Sequence, residues 1–354
     1  MGKINVRSPY FINLATTNLT SAKLEIDIYT GEANTDWQDA PVYTLNSTAI
    51  NAKINFEIAE LVKDYIQAKF DGAFPTTPVT VAEATTVFVD YRVTETINTT
   101  AQTPVDVLGE RGFYGYGYFE NGVNPQLAVA TLQSNLSILR NNDEIFTVPV
   151  DNTNVAKVEF LLNGAVVNTQ SPLSNPDIED QIQYFQNVNS GSKFNSDQVR
   201  VFQSTPQITV TIDIIKYEKC KYTPLKIIFI NKFGAYQEIW MFANSILSMS
   251  TTEDRYKSNI LSNGTYNTYD PQIKLLTKNG NQTLTLNSDY YPESYNEVFR
   301  QLFLSEKVWI DYEGQTLGVN IENKQITYKT SLTDSLINYT IDVSFAFNTI
   351  NNIR

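Results

Sequence analysis

Proton transfer near neutrality would fall to carboxylates in this chain, which holds 38 aspartates and glutamates, a single cysteine and no histidine among 354 residues. Without histidine, the usual general base of nucleophilic catalysis and the commonest transition-metal ligand are gone. Ser-His-Asp and Cys-His hydrolases and His-ligated zinc or iron enzymes fall away with it. Paired carboxylates, as in glycoside hydrolysis, stay open as chemistry, since spacing along a chain does not give separation in space. Glu293 and Glu297 share one face of an expected helix, where acids near the start ordinarily favour the macrodipole. The single thiol, Cys220, excludes an intrachain disulfide and a cysteine-rich zinc site and reads as a small core filler. Phosphate-binding loops are missing too. Gly191-Ser-Lys193 lacks the upstream glycine of a phosphate cradle, and Gly115-Tyr-Gly117-Tyr-Phe-Glu120 has glutamate where a dinucleotide fingerprint needs its third glycine. These residues assign no catalytic, cofactor or metal site, and the chain reads as a non-enzyme.

The aromatic run Phe113-Tyr114-Gly-Tyr116-Gly-Tyr118-Phe119 is the most unusual local feature. Tyrosines on a glycine-flexed segment suit a protein interface or a platform for stacking sugars, and the competing reading is a strand whose aromatics fill a core. Glycine inside a strand also marks close approach by another backbone. Phe113, Tyr114, Tyr116, Tyr118 and Phe119 are therefore the interface candidates.

The positions that must carry these residues read mostly as strand. Leu24, Ile26 and Ile28 alternate with Glu25, Asp27 and Tyr29, and Ile208, Val210, Ile212 and Ile214 with Thr209, Thr211 and Asp213. The longest alternation is C-terminal, with Ile337, Tyr339, Ile341, Val343, Phe345 and Phe347 on the apolar face, and is expected to pair beside residues 319–328. Asn163-Gly164 and Asn279-Gly280 read as tight hairpin turns, because Asn-Gly suits the two positive-φ positions of a type I′ turn. Helical stripes are expected at 57–70, from Ile58, Leu61, Val62, Tyr65 and Ile66, and at 292–304 behind Pro292, with a weaker one around Ile178, Ile182 and Phe185.

Hydrophobic residues make up 42% and aromatics 12% of the chain, enough for a folded protein with a sizeable core. The fold class expected is mainly β, a multidomain β-sandwich or small-sheet architecture with two or three short helices. Turn-rich stretches at 75–80, 98–104, 141–143 and 245–267 divide it into an N-terminal sandwich-like domain at 1–142, a central β domain at 143–250 and a C-terminal α+β domain at 251–354. The net charge of −12 repels nucleic-acid backbones and anionic membranes. Lys216, Lys219, Lys221 and Lys226 form a local basic cluster, interrupted by Glu218, that reads as a solvated face or one turned to an acidic neighbour. The longest apolar run, 225–230, is far too short to span a membrane, and the first ten residues lack the apolar core of a signal peptide, so synthesis in a cytoplasm without export is expected.

Several phrases resemble virion tail, neck and baseplate proteins of tailed bacteriophages, particularly crAss-like and related phages of Bacteroidota hosts. They are Arg7-Ser-Pro-Tyr-Phe11 followed by the 24–29 strand and Thr30-Gly31, the run Phe56-Glu-Ile-Ala-Glu-Leu-Val62, and Ile228-Phe-Ile-Asn-Lys-Phe-Gly234 leading into Trp240-Met-Phe242. The closing helix 292–304 with strands 308–310 and 337–347 is similar as well. The resemblance implies a structural virion protein, a subunit of an oligomeric ring or collar whose partners are its own copies and other tail or neck proteins. It carries over no functional residue. A carbohydrate-binding tail or cell-surface β-sandwich protein is the alternative, with a glycan as partner, and a carboxylate-only glycan hydrolase is the third reading.

Overall fold

Period-two patterning becomes strand along most of the chain. A computed structural model describes residues 2–81, 85–126, 131–142, 144–174, 182–204, 207–218, 221–323, 325–327 and 336–350. The protein is mainly β, with seven sheets and two short α-helices among these residues. Its backbone contacts resolve into two units. Unit 1 takes Met1–Glu218, Ile228–Ile239 and Glu297–Glu306, and unit 2 takes Lys219–Ile227, Trp240–Asn296 and Lys307–Arg354.

Unit 1 contains two large sheets. The first joins β1 (Lys3–Asn5), β2 (Leu19–Tyr29), β3 (Tyr43–Thr48), β4 (Thr86–Ile97) and β5 (Val105–Phe113) in the order β1-β5-β4-β2-β3. As the alternation requires, Leu24, Ile26 and Ile28 are buried while Glu25, Asp27 and Tyr29 are not. The second runs β6 (Ser137–Asn141), β10 (Ile208–Tyr217), β9 (Gln198–Gln203), β7 (Val155–Leu162) and β8 (Ala165–Gln170) in that spatial order. Leu162 pairs with Ala165 across Asn163 and Gly164, whose φ of 51° and 79° make the expected tight hairpin. A third sheet pairs Ile182–Gln186 with Thr147–Asp151 on one side and Val79–Val81 on the other.

Two helix expectations change. The one at 57–70 shrinks to α1 (Ala59–Lys63). Its stripe residues Ile58, Val62 and Ile66 are all buried, but Ala68 adopts a left-handed φ of 43° that no continuing α-helix allows. The weak helix near 178–185 is strand where it is described, and Ile178 lies outside the described residues. All five side chains of Ile182–Gln186 are buried. A strand enclosed on both faces loses its alternation, and its apolar positions then mimic helical spacing. The helix at 292–304 is present as a 3-10 turn, Glu293–Tyr295, behind Pro292, continuing into α2 (Asn296–Phe303).

In unit 2, β11 (Ile246–Lys257), β12 (Ile273–Asn287), β13 (Val308–Tyr312), β14 (Gln315–Ile321) and β15 (Thr340–Phe345) lie in the order β13-β14-β15-β12-β11. Leu284, Leu286, Ile310, Val319, Ile341 and Val343 fill their buried face. Beside them Tyr291 donates its hydroxyl to the Trp240 carbonyl at 2.6 Å and packs its ring 4.6 Å from that of Tyr295. β15 pairs with β14 through Val319–Ile321, as expected, and with β12 on its other side. Phe347, expected on the buried face, is 58% exposed, because the strand ends at Phe345 and the chain bends. Asn279-Gly280 is no hairpin turn. It lies inside β12, opposite Thr252 and Thr251 of β11. A Cβ on Gly280 would come within 3.1–3.2 Å of Thr349 and Met249, so this glycine serves packing rather than a turn. The stretch read as a boundary at 245–267 is likewise mostly the strand β11.

A buried ion cluster fastens two sheets of unit 1. Lys3 and Arg111 are register partners on the parallel strands β1 and β5, so two cations stand side by side. Asp151, from the neighbouring sheet, pairs with Lys3 through one carboxylate oxygen and with Arg111 at 3.2 Å through the other. Arg111 is 3% and Asp151 5% exposed. Burial pushes the Asp151 carboxyl up, but the charges of Arg111 and Lys3, with hydrogen bonds from Lys3 and Thr153, outweigh it and bring the pKa down to about 2. A depressed pKa contributes stability above the unfolded value, 3.8, and that contribution is lost as pH falls through about 2. In urea unfolding between pH ~4 and ~2, the wild type should lose on the order of 2 kcal/mol from this group. Asp151→Asn should be destabilised by about 3–5 kcal/mol at neutral pH, because it strands the buried Arg111 and the half-buried Lys3, and should lack that acid-side loss.

Candidate assembly interface

The aromatic run leaves β5 at Phe113 and threads through the interior of unit 1. Phe113, Tyr114 and Tyr116 are buried, Tyr118 is half-buried, and Phe119 projects at 89% exposure. The glycines between them do what close approach demands. A Cβ on Gly115 would lie 2.6 Å from Asn5 Oδ1 and 2.7 Å from the Lys232 carbonyl oxygen. The Tyr116 N–H donates to that same carbonyl at 2.8 Å, and the Arg7 N–H donates to the Gly115 carbonyl at 3.0 Å. On the facing loop, Gly234 has φ +82° and sits against the Tyr114 backbone.

The tyrosine hydroxyls then reach carboxylates at and beyond α2. Tyr114 donates to Glu306 at 2.5 Å, and Tyr118 to Glu297 at 2.7 Å. Arg7 lies 4.7 Å from the Tyr116 ring centre and pairs with Glu306 at 3.1 Å, while Arg300 covers the Tyr118 ring at 3.6 Å. Burial raises all three phenols, Tyr116 to about 12. Burial also pushes Glu297 and Glu306 up. The opposing hydrogen bonds and cations win, and both stay below the ordinary carboxylate range. For Glu297 those partners are Gln301, Tyr118 and Lys232. Such carboxylates lack the raised pKa of a general acid. The run thus ties four distant stretches of chain together, and of its five residues Phe119 is left to face outward.

A different segment carries a run of exposed large apolar side chains. β11 and β12 form a long antiparallel ribbon in unit 2, and β11 is the terminal strand of its sheet. β15 pairs only with Thr283–Asn287 of β12. From Ile273 to Lys278 the ribbon is therefore two-stranded among the described residues, an arm extending past the sheet. Tyr256, Ile273 and Leu275 are exposed along it, as are Leu247 and Met249 on β11 nearer the sheet. Leu276 is the extra residue of a β-bulge, between the pairs Asp254↔Thr277 and Arg255↔Leu275, and is 69% exposed. The connection between the strands adds Leu261, Tyr266 and Tyr269, the last at 84% exposure, around a tight turn at Asn263-Gly264. Charge differs here as well. Residues 246–287 hold four cations against three acids in a chain of net charge −12. The signal was available in sequence as strand-like runs with apolar residues on both faces, which a soluble strand pair cannot bury alone.

The acidic pair on the first sheet and two of the clustered lysines are engaged in structural contacts. Asp27 and Asp90 are cross-strand partners on β2 and β4. Asp90 is 1% exposed and accepts hydrogen bonds from the Tyr29 hydroxyl, the Asn34 amide and the Gly109 N–H. Burial and the Asp90 charge raise Asp27. Every donor on Asp90 is a structural one, and Gly109 belongs to a bulge that the carboxylate caps. Lys216 pairs with Glu218 and Lys226 with Asp311, while Lys219 and Cys220 lie outside the described residues. No group of three or more Cys, Asp or Glu among the described residues is placed to hold a metal ion, and no described helix is long and apolar enough to cross a membrane. Neither a scan against protein-family models nor a search of curated proteins yields a match.

The close approach at Gly115 makes a sharp expectation. Gly115→Ala forces a Cβ into the Lys232 carbonyl and should destabilise the protein by about 1–3 kcal/mol, read as a fall in melting temperature. Gly318→Ala, whose Cβ would meet nothing nearer than 3.8 Å, should leave it unchanged.

Proposed function

We propose that the chain is a structural subunit that acts by being built into a multi-copy assembly, the ring or collar of a phage neck, tail or baseplate that its sequence resembles. The observation that carries this reading is the β11–β12 arm. An exposed terminal strand offers a row of unpaired backbone donors and acceptors, which proteins ordinarily shorten, charge or cover. Here the edge is twelve residues long, and large apolar side chains flank it. Surface of this kind is the signature of an intermolecular contact, with strand addition supplying the hydrogen bonds and the apolar side chains the burial. The slight positive charge of the arm favours a partner as acidic as the rest of this chain, which points to another copy. The buried tyrosine network serves the same role from within, since a subunit under load in a particle needs rigid internal fastening.

The test is the oligomeric state. Wild-type protein should show a multi-copy species by analytical ultracentrifugation and closed or stacked particles by negative-stain microscopy. The triple variant Leu261→Ser, Ile273→Ser, Leu276→Ser should sediment as a monomer with an unchanged melting temperature, because exposed substitutions shift stability by no more than about 0.5 kcal/mol. A wild type that stays monomeric at every concentration, or a variant that assembles equally well, would defeat the reading.

A further inference from the structure

The polar face of the unit 2 sheet is hollowed. A concavity of about 450 Å³ opens over β12, β15 and β14, lined by Asn281, Asn320, Glu322 and Ser344 with Phe347 and Asn348 at the bend that follows β15. Cross-strand register sets Thr283, Ser344 and Asn320 in one row across the three strands. Ser344 donates its hydroxyl to Glu322. Among the described residues the side-chain amides of Asn281, Asn320 and Asn348 make no hydrogen bond. Phe347, which the strand pattern assigned to the core, turns its ring outward instead.

The lining selects its ligand class. Among the described residues it contains no lysine or arginine and one carboxylate, and these favour a neutral ligand over a phosphate, a sulfate or an acidic sugar. An apolar ligand would find only Phe345, Ala346 and Phe347. A peptide strand would need an open edge, whereas β15 and β14 each have neighbours on both sides. What fits is a neutral ligand dense in hydroxyl groups. Side-chain amides recognise neighbouring hydroxyls by donating to one and accepting from the other, and an aromatic face stacks on the C–H side of a sugar ring. Asn281 stands two strands across and two residues along from Asn320, on the order of 12 Å, a span that a chain of two or three pyranose rings covers.

We infer that this face binds a neutral oligosaccharide. The site stands apart from the assembly reading and would survive its failure. Fluorescently labelled full-length protein is applied to an array of neutral and acidic glycans, and the strongest neutral glycan is then titrated calorimetrically into wild type, Asn281→Ala/Asn320→Ala and Phe347→Ala. Neutral glycans should bind, and the double variant should weaken binding by about tenfold or more, the loss expected from one or two hydrogen bonds, with the melting temperature unchanged. Phe347→Ala should weaken it as well. The arm variant is run in parallel, and binding by that variant alone also supports the inference, since it reports a site covered in the assembled form. No neutral binder in either protein, binding confined to acidic glycans, or equal affinity in the double variant would overturn it.

Discussion

Two cations in register on adjacent strands would repel, and the first sheet of unit 1 is built with that conflict at one of its edges. Lys3 and Arg111 face each other across β1 and β5, both within 5.4 Å of the Phe113 ring centre. Only the carboxylate of Asp151 makes the arrangement affordable, and it comes from a strand of another sheet. Closing the edge of the first sheet is therefore the same event as docking the three-stranded sheet that carries Asp151. Like-charge neighbours destabilise a strand pair, and an uncompensated buried charge is worse, so the pairing specifies which sheet must meet which.

The same residues continue into the aromatic run. Phe113 takes the two cations on its ring, and the next residues carry the backbone into contact with the loop at 231–235 and the hydroxyls to α2. A chain with one cysteine has no intrachain disulfide to draw on. Its long-range fastening consists instead of glycine-permitted backbone contact, buried tyrosine hydroxyls, and arginines laid on tyrosine rings. These interactions join segments more than a hundred residues apart, and each depends on the others for its geometry.

Strand existence was legible wherever one face met water. At Leu24–Ile28 and Ile337–Val343 the two-residue period wrote the buried face directly into the sequence, and Asn163-Gly164 wrote its turn. Legibility failed where the physical premise failed. Ile182–Gln186 is buried on both sides and carries no period. Asn279-Gly280 has turn chemistry, but twelve residues of pairing partner on β11 keep the strand straight through it. Of the aromatic run, the close backbone approach was readable from its glycines. The burial of its tyrosines depended on Glu297 and Glu306, nearly two hundred residues away, which no local pattern announces. The arm's apolar residues on both faces were readable, but they look like a core until the strand's position at the end of the sheet is known.

The division of the chain also orders events in time. Unit 1 is not finished at residue 218; it lacks its loop until residue 239 and its helix until residue 306. Folding on the ribosome proceeds from the N-terminus at roughly 5–20 residues per second, so the arm, complete at residue 287, emerges a second or more before the last piece of unit 1. During that interval the arm is complete while unit 1 is not. Under the assembly we propose, first encounters between subunits would therefore fall within translation, where every neighbour is a copy of the same chain.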